Sequence, residues 1–200
     1  MNIGILVFDD MELLDMAGPY EVFTTASRVW ARSQPASAAP LFKVVTIAST
    51  SAPVRARAGL RVQPDFRLHG HPPLHCALVP GGVVDAELQR PAVLAWIAAQ
   101  RRSAPVLASV CTGALLLAAA GVLDGLAATT HWEDLDAMRA LRPAVAVRDG
   151  VRWVDEGAVV TSAGISAGMD MSLHLVRRLQ GHELAARTAR QMDYDWNDTP

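Results

Sequence analysis

The sequence predicts an α/β domain whose mostly parallel sheet is covered by helices on both faces. Three observations carry that expectation. The strand-like runs, such as "NIGILVF", "FKVVTIAS", "CALVP" and "PVLASV", are apolar throughout rather than alternating, as strands buried on both faces are. These runs alternate with stretches of helical period. The hydrophobic content, 51% of 200 residues, suffices for a continuous core.

Taken in order, residues 2–8 read as the first buried strand. Residues 12–30 carry apolar positions at helical spacing, with the main helix placed near Gly18-Pro19 so that the proline falls in its first turn. "ARSQPASAAP" (31–40) is a loop by composition and 42–49 a second strand. "PVRARAGLRVQPD" turns about Ala58-Gly59 and predicts a β-hairpin, followed by the turn-rich "HGHPPLH". Residues 76–80 form a third core strand ending in Gly81-Gly82, 86–102 an amphipathic helix, and 105–110 a fourth core strand. "TGALLLAAAG" is a buried helix stopped by Gly121. A short strand (127–130) and a helix (132–141) precede "VAVRDGVRWV", which predicts a hairpin on Asp149-Gly150. "GAVVTS" then leads into a final helix over 167–191. No repeat or linker divides residues 1–200, so one domain is expected.

Bulk properties narrow the function. A net charge of −2 with scattered arginines gives no electrostatic reason to expect nucleic acid or a membrane surface as partner. Cys76 and Cys111 are too few for a disulfide framework. The chain starts on a strand-like run, without a basic leader or an apolar run of spanning length, so a cytoplasmic protein with reduced thiols is expected. His69, His71 and His75 share a proline-containing loop without a companion carboxylate or thiol set, so no metal is expected.

The chemistry concentrates at "ASVCTGALLL". Cys111 falls between the fourth core strand and the helix after it, and ligands of open α/β sheets bind outside the carboxyl ends of the strands. The free N–H groups and dipole of the following helix are expected to lower the thiol pKa. Gly81-Gly82 ends the adjacent core strand, and its amides could complete an oxyanion hole. The structural alternative is a small buried hydrophobe, and for Cys76, which opens a buried strand, that alternative prevails.

"FDDMELLDMAGPYEVF", "LVPGG", "ASVCTGALLLAAAGVLDGLAATTHW" and "VVTSAGISAGMDMSLHLV" resemble the ThiJ/PfpI superfamily, block for block and in order, over about residues 2–193. The resemblance implies a class I glutamine-amidotransferase-like, flavodoxin-like sandwich with the cysteine at a strand-to-helix nucleophile elbow. Within it, the aspartate of "LLDMAGP" and the threonine after the cysteine are similar to the branch that hydrates isonitriles. The resemblance makes Cys111 the nucleophile, Asp15 its acidic partner and Thr112 a positioning neighbour, with Gly82 supplying a backbone donor. Peptidase-like relatives carry a histidine where this chain has Thr112. A glyoxalase or deglycase branch uses a histidine near "TTH", which His131 fits, with a glutamate that Asp15 replaces. A further branch forms the front half of AraC-type regulators. A homodimer acting on a small molecule without cofactor is implied.

On this reading burial and a facing thiolate raise the Asp15 pKa, so that a protonated carboxyl can hand a proton to substrate. The competing readings are α-oxoaldehyde chemistry using Cys111 and His131, and a non-catalytic redox-sensing or ligand-binding domain in which Cys111 is oxidised. Ser162 and Gly164 are expected in the pocket wall, and Asp170 as a helix-end charge.

Overall fold

The computed structural model describes residues 1–34 and 39–200; part of the loop expected at 31–40 lies outside the described residues. Its centre is a seven-stranded sheet. The strands are β1 (Asn2–Leu6), β2 (Lys43–Ala48), β5 (Phe66–Arg67), β6 (Cys76–Val79), β7 (Val106–Val110), β10 (Trp153–Asp155) and β11 (Val159–Ser162). They lie in the order β10-β11-β7-β6-β1-β2-β5. Every neighbouring pair is parallel except β10 with β11. β6 and β7 are buried at every residue, which is why they read as unbroken apolar runs.

Two groups of helices flank the sheet. α1 (Leu13–Ala31), α6 (Ala167–Gln180) and α7 (His182–Gln191) pack on one another. α2 (Asp85–Leu88), α3 (Pro91–Ser103), α4 (Gly113–Ala119) and α5 (Leu135–Leu141) form the second group. Two small sheets lie outside the main one. β3 (Val54–Arg55) and β4 (Arg61–Val62) make the expected hairpin, antiparallel about Gly59. β8 (Ala127–Ala128) pairs in parallel with β9 (Ala146–Val147).

Four expectations are corrected. α1 starts at Leu13, and Pro19 lies inside it. Its first turn is secured from outside, by Glu12 N–H on the Gly81 carbonyl (2.8 Å), and it buries Asp15 and Met16. The hairpin on Asp149-Gly150 does not form, because β9 goes to β8 and β10 to the edge of the main sheet, where Trp153 is buried against His174. The helix at 86–102 is two helices, restarted at Pro91, a first-turn proline that fits a helix start. The final helix is also two, broken at Gly181 with φ 92°. Among the described residues no helix is long and apolar enough to cross a membrane.

Candidate active site

β1, β6, β7 and β11 are neighbours in the sheet, and the chain segments leaving their carboxyl ends build the site. Cys111 follows β7 directly and holds φ 56°, a left-handed conformation that costs an L-residue energy and persists only when its surroundings fix it. They do so here. Its N–H donates to the carbonyls of Ser162 (3.1 Å), the last residue of β11, and Ala163 (2.7 Å), and its own carbonyl accepts the Thr130 hydroxyl (2.9 Å). Thr112 and α4 follow at once, so the side chain stands at a turn from strand to helix. It is 7% exposed and lines a cavity of about 290 Å³.

Asp15 reaches the same place from the first turn of α1 and is fully buried. The Gly81 N–H donates to its Oδ2 (3.0 Å). Oδ1 is buried without a hydrogen bond of good geometry, and the Cys111 thiol is the donor group beside the carboxyl. The Asp15 pKa rises from 3.8 to about 7. Burial is the main cause, opposed by the Gly81 amide, reinforced by the charge of Glu12 and opposed again by the thiol.

Burial also pushes the Cys111 thiol up, to about 12, with the Asp15 charge adding to it. The Thr112 N–H and hydroxyl work the other way, and the Asp134 charge raises it further. This overturns the expectation of a depressed thiol pKa. α4 has only seven residues, and the field at its start is outweighed by desolvation and a carboxylate neighbour. Cys76 is fully buried at the start of β6, and burial raises its pKa to about 12 as well.

The two glycines occupy the expected place, but their amides are engaged within the protein. Gly81 N–H holds Asp15; Gly82 N–H donates to Thr112 Oγ1 (2.8 Å), and that hydroxyl donates back to the Gly82 carbonyl (2.8 Å). In this arrangement the two amides position Asp15 and Thr112. A Cβ on Gly81 would stand 2.6 Å from the Thr112 backbone nitrogen and 2.9 Å from the Cys111 Cβ, so only glycine lets the β6 end press on the elbow.

His131 lines the same cavity. Its ring packs on Gly164, where a Cβ would fall 2.5 Å from Cδ2, and its Nδ1 accepts the Glu133 N–H at 3.4 Å. Glu133 and Asp134 carboxylates lie 3.5 and 3.6 Å from that nitrogen. Gly164 lines an adjoining hollow and not the cavity itself, and Ser162 is fully buried and donates to the Ser109 carbonyl (3.1 Å), so neither stands in the wall expected for it. Asp170 is a fully buried charge in the first turn of α6, paired with Arg152 and accepting the Asn197 N–H (3.1 Å).

Sequence reasoning missed Glu12, Arg57, Asp134 and Ile165, all of which line the cavity. Glu12 and Asp134 stand three residues from Asp15 and His131, a spacing that was open to reading; Arg57 arrives on the β3–β4 hairpin, which no local pattern ties to Cys111.

Chemically, this arrangement offers a thiol on the wall of an open cavity and, buried behind it, a carboxyl with which it can exchange one proton. Among the described residues no group of three histidine, cysteine, aspartate or glutamate side chains could hold a metal ion.

Residues 1–178 match the DJ-1/PfpI family. The chain is 34% identical over 195 residues to the isonitrile hydratase of Pseudomonas putida, an alignment covering 97% of this chain and 78% of that protein. It is also 34% identical over 195 residues to the HTH-type transcriptional regulator GbdR of Pseudomonas aeruginosa, covering 97% of this chain but 51% of the regulator, so the chain spans about half the length of that relative. Among solved structures, a THiJ/PfpI family protein from Pseudomonas syringae superposes with a TM-score of 0.84 at 29% identity, covering 98% of this chain and 76% of that one.

Proposed function

The chain belongs to the DJ-1/PfpI family, and within it we propose that this protein is a cysteine-dependent hydratase of a small molecule, converting an isonitrile to an N-substituted formamide. The observation that carries this reading is the pairing of a fully buried Asp15 carboxyl with the Cys111 thiol on a strained turn that opens on a cavity. Similarity to isonitrile hydratase supports the choice of substrate.

The working form of the pair carries one proton. Asp15 takes the thiol proton and passes it to the terminal carbon of the isonitrile as Cys111 sulfur bonds to that carbon. The product is a thioimidate, with Asp15 left as carboxylate. The carboxylate then accepts a proton from water as its oxygen attacks the thioimidate carbon, and delivers that proton to the substrate nitrogen. The tetrahedral adduct collapses: the carbonyl forms, the C–S bond breaks, and the hydroxyl proton returns through Asp15 to sulfur. Thr112 keeps the elbow in place through its two bonds to Gly82. His131 contacts the substrate from the cavity wall.

Formamide production from a panel of isonitriles tests the proposal. Wild type is expected to turn over at least one member and Cys111→Ala none; equal formamide release by both would refute it. A second reading, a ligand-binding or redox-sensing domain, is favoured by the equal identity to the regulator GbdR. It is distinguished by binding or peroxide oxidation at Cys111 without turnover of isonitriles or methylglyoxal.

A further inference from the structure

The cavity above Cys111 has a one-sided charge. Four carboxylates line it, from Glu12, Asp85, Glu133 and Asp134, against the single guanidinium of Arg57, so among its described lining residues anions outnumber cations even with His131 protonated. The chain as a whole carries only −2, which makes the cavity far more acidic than the average surface. The field also reaches the reacting groups, since Asp134 acts on the thiol and Glu12 on Asp15.

A second, independent feature points the same way. Trp132 is 71% exposed, its indole 5.6 Å from the His131 ring. It lines an adjoining hollow that shares His131 and Ile165 with the cavity; the hollow's one guanidinium, Arg152, is paired with the buried Asp170. Trp132 lines the hollow, Glu133 and Asp134 line the cavity, and His131 lies on the border of both, so an organic cation at that border has an indole on one side for its π-face and carboxylates on the other as charge partners.

We propose that the cavity selects small organic cations, the ammonium-bearing end of the ligand lying towards Trp132, Glu133 and Asp134 and its reactive end at Cys111. The proposal deepens the hydratase reading and rests on it for the identity of the reactive group. An isonitrile with an alkylammonium tail is favoured over a neutral one, and a carboxylate-tailed isonitrile is excluded.

The test does not depend on turnover. Cys111 is exposed to two methanethiosulfonates of similar size, one ending in trimethylammonium and one in sulfonate. Each transfers its thioalkyl group to sulfur, forming a mixed disulfide and releasing methanesulfinate. Peptide mapping by mass spectrometry confirms that Cys111 and not the buried Cys76 is labelled. Rates are normalised to those with a free small thiol. The ratio cancels the thiolate fraction, so it reports the cavity field and not the sulfur. At low salt the cation is expected to react about tenfold or more faster, with the ratio approaching one in 1 M salt, where the screening length is about 3 Å. Glu133→Gln combined with Asp134→Asn is expected to lower the ratio to about threefold or less. A wild-type ratio of one, or one favouring the sulfonate, overturns the proposal whether or not the double variant folds. If neutral isonitriles are hydrated while the ratio is one, the cation preference falls and the hydratase reading stands. If the ratio holds while no isonitrile is hydrated, the hydratase reading falls and the preference stands.

Discussion

Replacing Asp15 by asparagine is expected to make the protein more stable and less active. A fully buried carboxyl with its pKa moved from 3.8 to about 7 is one whose charged form the fold disfavours. Between those two values the folded chain holds a proton that the unfolded chain has lost. Folding stability therefore falls as pH rises through this window; below it there is no penalty, and above about 7 the penalty is complete. Three units amount to about 4 kcal/mol at about 1.36 kcal/mol each. Asparagine keeps the acceptor for the Gly81 N–H and cannot ionise. Its extra N–H donors face a thiol, a weak acceptor, which costs about 1 kcal/mol. The net gain expected at pH 8 is about 3 kcal/mol, turning into a small loss near pH 4, where the penalty is gone and the cost of the unpaired donors remains. Denaturant unfolding followed by circular dichroism at both pH values measures it, and the difference between wild type and variant cancels other titrating groups such as Glu87, whose pKa burial also raises. The same variant should lose most of its isonitrile turnover, because no group remains to carry the proton. A variant no more stable than wild type at pH 8, or a difference that does not change with pH, would refute the assignment of Asp15 as a strained, proton-holding group.

Two further outcomes follow from the same geometry. Since the first proton leaves the Asp15–Cys111 pair near pH 7 and the second near 12, kcat/KM should rise as pH increases through about 7 and hold a broad alkaline plateau; a rate that falls through that point in a pH–rate profile would contradict the single-proton working form. Gly81→Ala forces a Cβ to within 2.6 Å of the Thr112 backbone, so it should lower the melting temperature, by an amount equivalent to about 2 kcal/mol or more, and slow turnover as well; an unchanged melting curve would show that the β6 end does not press on the elbow.

How much of this was legible depended on whether the deciding contact was local. β6 and β7 were readable because burial on both faces writes itself into every residue of the run. The hairpin at Gly59 was readable too, since its two strands find each other. The chain bends at Gly150, with φ 70°, yet the strands on either side pair with β8 and β11, a choice made by distant chain. Pro19 argued for a later helix start, but the anchor that starts α1 earlier is the carbonyl of Gly81. Cys111 stood out because strand, thiol and glycine are adjacent in sequence. The use of the Gly81 and Gly82 amides was hidden, because their acceptors lie on Asp15 and Thr112, 66 and 30 residues away.

The raised thiol pKa, which looks adverse for a nucleophile, is what the proposed reaction needs. A thiolate paired with a protonated carboxyl and a thiol paired with a carboxylate contain the same number of protons, so the pair passes between them without exchanging anything with solvent. A permanently ionised sulfur in this place would leave Asp15 as the only proton source and would invite oxidation of the resting protein. Burial of both groups instead keeps one proton between them over a wide range above neutrality, with the carboxyl held near 7 and the thiol near 12. An isonitrile requires a proton and a nucleophile at the same carbon. The strained backbone at Cys111 and the glycine amide on Asp15 serve to hold sulfur and carboxyl beside one another, so that the two arrive together.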